Sequence, residues 1–177
     1  MESAIFKVCV FGDGGVGKTT LVNRYLSGHF SESTKMTIGV DLATKRFERD
    51  GVDVTLQLWD LGGEERFRFF LPGYARGSFA GIFLYDITRF NSLMNLDEWL
   101  TIFKKGADTD RYDIPILMVG SKLDLEHKRS VSRSDAFNAG LNHEIYDVIE
   151  CSSKTGYNVE EIFHNITEEI MYSTGLM

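Results

Sequence analysis

The residues best equipped for chemistry stand together near the start of the chain: Gly12-Asp13-Gly14-Gly15-Val16-Gly17-Lys18-Thr19, a glycine, four residues, then Gly-Lys-Thr. An apolar run over residues 5–11 precedes them and a segment of helical spacing over 19–27 follows. This is the strand-loop-helix setting in which such spacing cradles a polyphosphate. Glycines let successive backbone N–H groups turn inward, and the start of the following helix adds partial positive charge. Lys18 is long enough to reach β- and γ-phosphates, and the Thr19 hydroxyl can serve Mg²⁺. A plain glycine turn with an exposed lysine would be the blander role, and the flanking strand and helix argue against it.

A metal on such a phosphate chain needs a carboxylate from a neighbouring strand end. Leu56-Gln57-Leu58-Trp59-Asp60 offers Asp60, with Gly62 and Gly63 directly after. An aspartate there is by itself more often a turn-former; opposite a phosphate loop it becomes a Mg²⁺ partner. Gly63 lets a backbone N–H approach the γ-phosphate, and its conformational freedom lets the next loop rearrange once that phosphate leaves.

These groups must be positioned by a sheet. Runs rich in Val, Ile and Phe occupy 5–11, 52–59, 81–85, 114–119 and 145–149, and their near-continuous hydrophobicity suggests strands covered on both faces. Between them, 19–27, 90–105, 132–141 and 159–171 have helical spacing. Alternating strand and helix predicts a mostly parallel α/β sheet with right-handed crossovers. Arg49-Asp50-Gly51 leaves no room for a helix and reads as a hairpin turn, which adds one antiparallel edge strand. Phe79, Phe83, Trp99, Phe103, Phe137 and Phe163 are assigned to the core.

The chain has 177 residues, 43% hydrophobic and 25% charged, with no repeat, low-complexity tract or linker, which fits one ordinary domain over 1–177. A formal charge of -7 excludes a broad basic face for nucleic acid. No stretch approaches the roughly 18 apolar residues of a membrane span, and residues 1–15 do not read as a signal peptide. Cys9 and Cys151 read as buried free thiols, and the four histidines form no metal-like constellation.

With these motifs assembled, the chain resembles the Ras superfamily of small GTPases, most closely its Rab-like branch. GDGGVGKTTLVNRYLSGHF is similar to that family's phosphate loop and first helix, and TIGVDLATK to its first switch and the strand beyond. LQLWDLGGEERFRFFLPGYARGSFAGIFLYDIT resembles its third strand, second switch and fourth strand, and SKLD and CSSK stand at its two guanine-reading motifs. The resemblance implies a P-loop NTPase fold, a six-stranded mostly parallel sheet with one antiparallel edge strand and helices on both faces. It implies a GTP/GDP switch with Mg²⁺ that hydrolyses GTP.

Residue by residue, it places Asp13, Gly14, Gly15, Val16, Gly17, Lys18, Thr19 and Thr20 around the phosphates. Phe30 lies across the guanine, Thr34 and Thr37 belong to the nucleotide site, and Thr19, Thr37 and Asp60 serve the metal. Lys18, Thr37, Gly63 and Glu64 form the catalytic set. Asp124 accepts from guanine N1–H and the 2-amino group, Lys122 covers the ring, and Ser121, Ser152, Ser153 and Lys154 complete the pocket. A site built on such hydrogen bonds rejects an analogue lacking them, so GTP is expected over ATP.

Four departures sharpen these expectations. Ser121 replaces the usual Asn, and its shorter reach is expected to weaken the brace to the phosphate loop. Glu64 replaces the usual Gln; a carboxylate cannot donate an N–H toward the transferring phosphoryl group, and it is either repelled or, with a raised pKa, helps move a proton. A slow or hydrolysis-deficient GTP-binding scaffold is therefore the alternative to a hydrolysing switch. Leu61-Gly62 replaces the common Thr-Ala, and Leu42 the usual Phe of an apolar Leu42/Trp59/Tyr74 patch read by effectors. At least one of Phe67, Phe69 and Phe70 is expected to face solvent in one nucleotide state. Effectors, an exchange factor and a GTPase-activating protein are the expected partners of a cytoplasmic monomer. No cysteine follows Cys151 and residue 2 is Glu, so no prenyl or myristoyl anchor is expected.

Overall fold

A computed structural model describes residues 2–31, 36–107 and 113–177. In chain order its elements are β1 (Glu2–Phe11), α1 (Lys18–Ser27), β2 (Val40–Arg49), β3 (Val52–Leu61), α2 (Glu65–Arg68), α3 (Leu71–Ala75) and β4 (Ala80–Asp86). There follow α4 (Phe90–Met94), α5 (Leu96–Gly106), β5 (Ile116–Ser121), α6 (Arg133–Asn142), β6 (Asp147–Glu150) and α7 (Val159–Ser173), with a 3₁₀ turn at Leu123–Lys128.

The strands form one six-stranded sheet in the order β2-β3-β1-β4-β5-β6. Every neighbouring pair is parallel except β2 with β3, which run antiparallel from Val40 opposite Leu61 to Arg49 opposite Val52. Their hairpin turns through Asp50 and Gly51, both at positive φ (50° and 80°). That is the turn whose twist matches the strands it joins.

Both faces of the inner strands are covered, so β4, β5 and the end of β1 are buried without alternation, whereas β2 and β3 alternate. Along β1, Phe6, Val8 and Val10 belong to one buried cluster, and Cys9 and Phe11 to the other. The first cluster is closed by α1 and α7, where Tyr25 stacks on Phe163 at 3.9 Å between ring centroids. The second is closed largely by α5, where Phe103 stacks on Phe11 at 4.8 Å and Trp99 is fully buried.

Three details depart from the expected pattern. The segment 90–105 is not one helix: α4 ends at Met94, and α5 restarts after Asn95. Phe137 is not core but 57% exposed, because α6 packs through its small residues, Ala136 and Gly140, and this turns Phe137 outward. Phe79 is only half-buried, edge-on to Phe6 at 5.3 Å. The short helices α2 and α3 offer too few residues to show a period. Among the described residues no helix is long and apolar enough to cross a membrane.

Parallel strands end on the same side. The loops after β1, β3, β4, β5 and β6 therefore gather at one edge of the sheet, the place where open α/β sheets bind ligands.

Candidate nucleotide site

The loop between β1 and α1 turns on Gly12, Gly15 and Gly17, all at positive φ (143°, 76° and 100°). A Cβ at Gly12 would lie 2.3 Å from the Leu84 carbonyl oxygen, so this strand end tolerates no side chain. Lys18, the first residue of α1, is 6% exposed, and its Nζ donates to the carbonyls of Gly12 (2.9 Å) and Asp13 (2.7 Å). Burial lowers its pKa to about 8, with Asp60 and Asp13 opposing the shift and Arg89 adding to it.

Beside this loop lies a cleft of about 450 Å³. Of the residues expected there, Gly14, Gly15, Val16, Gly17, Lys18, Thr19 and Thr20 line it, with Phe30, Thr37 and Gly63. Ser121, Lys122, Asp124, Ser153 and Lys154 line the rest. Thr34 lies outside the described residues. Met36 and Leu125 also line the cleft, and nothing in their residue types signals it.

Three oxygen-bearing side chains meet beside Lys18. The Thr19 hydroxyl is 2.5 Å from Asp60 Oδ2, to which it donates, and 2.6 Å from the Thr37 hydroxyl. Asp60 is 2% exposed, and its other oxygen, Oδ1, is buried without a hydrogen-bond partner. Burial raises its pKa to about 6 against the opposing pull of Thr19 and Lys18. Hard oxygen ligands with one buried carboxylate lone pair unsatisfied fit a divalent cation such as Mg²⁺.

Asp13 does not face this cleft with its side chain. Its carboxylate accepts from Trp99 Nε1 (2.8 Å), Asn95 Nδ2 (2.6 Å) and Arg68 Nη2 (3.3 Å). Arg68 also pairs with Glu98 at 2.8 Å and lies over the Trp99 ring at 4.7 Å. Asp13 is thus a tether from the phosphate loop to α2 and α5, and only its carbonyl, held by Lys18, serves the loop itself.

At the opposite end, Ser152 fixes the Asp124 carboxylate with a 2.7 Å hydrogen bond and is itself buried rather than lining the cleft. Lys122 adopts a left-handed backbone (φ 66°), held by its Nζ contacts to Gly15 O (3.0 Å) and Asp86 Oδ2 (2.9 Å). The Ser121 hydroxyl reaches Val16 O at 2.6 Å and Tyr85 O at 3.0 Å. The brace to the phosphate loop is present, though one hydroxyl proton serves two carbonyls at once.

Gly63 presses against the phosphate loop so closely that a Cβ would lie 2.3 Å from Gly14 N. Glu64 turns aside, its carboxylate 2.7 Å from Arg66 Nε, and does not line the cleft. Phe69 and Phe70 are 83% and 51% exposed. Leu42 stands opposite Trp59 across the hairpin, and Trp59 lies 5.9 Å from Tyr74, so the three make one surface. Trp59 is half-buried beneath the Lys7 ammonium (3.8 Å).

The Ras family model matches residues 7–172. Ras-related protein RGP2 of Oryza sativa subsp. japonica is 39% identical over 168 residues, spanning 95% of this chain and 76% of the relative. Rab-11C of Dictyostelium discoideum is also 39% identical, over 95% of this chain and 73% of its own. Rab-19 of Mus musculus is 38% identical over 97% and 78%. The chain belongs to the Ras family of small GTPases, on its Rab-like side.

If Asp60 holds a cation, its raised pKa predicts that binding depends on pH. A cation needs the ionised carboxylate and a proton competes for it, so Mg²⁺ affinity should be full near pH 7 or above. Below about pH 6 it should fall roughly tenfold per unit. Calorimetric Mg²⁺ titration across this range checks it, with Asp60→Asn expected to bind weakly and to flatten the dependence. A wild-type affinity unchanged down to about pH 5 would remove Asp60 from the cation site.

Proposed function

We propose that the described cleft is the GTP/GDP site of a single GTPase domain over residues 1–177, acting as a GTP-hydrolysing switch. The observation that carries this is the pairing of a buried, unsatisfied Asp60 oxygen with the buried Lys18 ammonium at the mouth of one glycine loop. A polyphosphate with its divalent cation meets both needs at once. Thr19, Thr37 and Asp60 would hold Mg²⁺, which neutralises phosphate charge when bound. Gly14, Gly15, Val16, Gly17, Lys18, Thr19 and Thr20 would surround the phosphates.

Asp124, aimed by Ser152, would read the guanine edge, with Lys122, Ser153 and Lys154 around it and Phe30 across the ring. Thr37 and Gly63 would contact the γ-phosphate and relax once it leaves, which gives partners two states to distinguish. The surface formed by Leu42, Trp59 and Tyr74, continued by the exposed Phe69 and Phe70, is where effectors and regulators would sense that change.

A specific observation favours slow hydrolysis. Glu64 is paired with Arg66 and so is not placed to orient the attacking water. The switch would then linger in its GTP state.

Competition binding tests the site. GDP and GTP should displace a bound fluorescent guanine nucleotide at concentrations at least about a hundredfold below those needed for ATP, and Asp124→Ala should erase most of that preference. Equal competition by ATP would point instead to a general phosphotransferase. Turnover of preloaded GTP, followed by chromatography, separates a hydrolysing switch from a scaffold that keeps GTP intact.

A further inference from the structure

Arg89 lies at the N-terminal end of α4 and has no part in the assignments above, yet its guanidinium crosses the phosphate loop. Nη1 donates to Gly14 O at 2.9 Å, and a Cβ at Gly15 would meet the same Nη1 at 3.4 Å. The chain carries 26 acidic residues against 19 Lys and Arg, yet among the described residues no carboxylate pairs with this arginine. It lies beside Gly14 and Gly15, which line the cleft. Its charge is also felt inside, for Arg89 is one of the groups lowering the pKa of Lys18.

The backbone that carries this side chain is held from both sides. Arg89 N donates to Asp86 O at 2.9 Å, and Arg89 O accepts from Ser92 N at 3.0 Å and from the Ser92 hydroxyl at 2.6 Å. Asp86 is 1% exposed; its Oδ1 accepts from the Thr88 amide and hydroxyl, and its Oδ2 pairs with Lys122. One buried carboxylate therefore fixes both the turn bearing Arg89 and the lysine of the guanine end. The backbone is thus fixed, while the guanidinium itself is exposed and held by its bond to Gly14 O.

We propose that Arg89 is a catalytic residue supplied by the chain itself, donating from its guanidinium to the γ-phosphate and to the β–γ bridging oxygen of bound GTP. This rests on the cleft being the GTP site. In hydrolysis a water oxygen bonds to the γ-phosphorus while the bond from that phosphorus to the bridging oxygen breaks. The electron pair stays on the bridging oxygen of GDP, and the water's proton passes to the released phosphate. Negative charge grows on the bridging and equatorial oxygens, and a planar guanidinium offers N–H donors to both. With Glu64 drawn to Arg66, catalysis would lean on charge stabilisation rather than on water positioning.

Three measurements on wild type, Arg89→Ala and Arg89→Lys test this: single-turnover hydrolysis of preloaded GTP, GDP dissociation, and thermal shift with GDP plus aluminium fluoride, a planar mimic of the transferring phosphoryl group. Arg89→Ala should hydrolyse at least about tenfold more slowly and lose the shift given by the mimic, with GDP release changed less than about twofold. Arg89→Lys, which keeps the charge but not the fork, should recover part of the rate. Unchanged hydrolysis in Arg89→Ala overturns the proposal. So does a rate loss matched by equal acceleration of GDP release, which would mark Arg89 as a brace for the loop. Failure of the wild type to retain guanine nucleotide would overturn the site itself, and it would be seen before any substitution is compared.

Discussion

A buried ammonium inside a glycine loop governs this molecule. Lys18 is taken out of water at the start of α1, where its Nζ donates to the carbonyls of Gly12 and Asp13. Burial without a carboxylate in direct contact is costly for a charge, and the lowered pKa of Lys18 registers it. Nearby, Asp60 bears the opposite burden, a carboxylate raised toward neutrality with one oxygen unsatisfied. Two opposite charges buried in one cleft fit an anion beside the lysine and a cation beside the aspartate.

The same loop gathers the segments on its rim. Thr37 reaches it through Thr19, Gly63 packs on its backbone, and Arg68 reaches it through Asp13. Each contact ties a segment at the rim of the cleft to the glycine loop. Under the proposed function, release of the γ-phosphate would loosen Thr37 and Gly63 first. Arg68 is notable because its partners Asp13, Trp99 and Glu98 sit on the loop and α5, so α2 is anchored to the domain core as well as to the nucleotide side.

What was legible in the sequence was local. The glycine loop, Asp60 at a strand end, the Asp-Gly hairpin and the guanine motifs are each defined by neighbours within a few residues, and the structure brings them to one edge of the sheet. That the Asp13 carboxylate turns to Arg68, Asn95 and Trp99 is not legible in the motif, because these partners lie 55 to 86 residues away. Residue type points Phe137 inward, but the small Ala136 and Gly140 set which face of α6 packs. Met36 and Leu125 line the cleft as the chain neighbours of Thr37 and Asp124, whereas Arg89 reaches the loop only because the chain folds back, and no spacing announces that.

The central claim is that the loop around Lys18 is built for a polyphosphate, with the base adding selectivity. Equilibrium binding of GDP and GMP to nucleotide-free protein in Mg²⁺ tests it most directly, because the two differ only in the β-phosphate. Charge-assisted contacts from Lys18 and the loop amides predict that GMP binds weaker by roughly a hundredfold or more. Equal affinities would contradict the account, since the buried ammonium would then have no phosphate to serve.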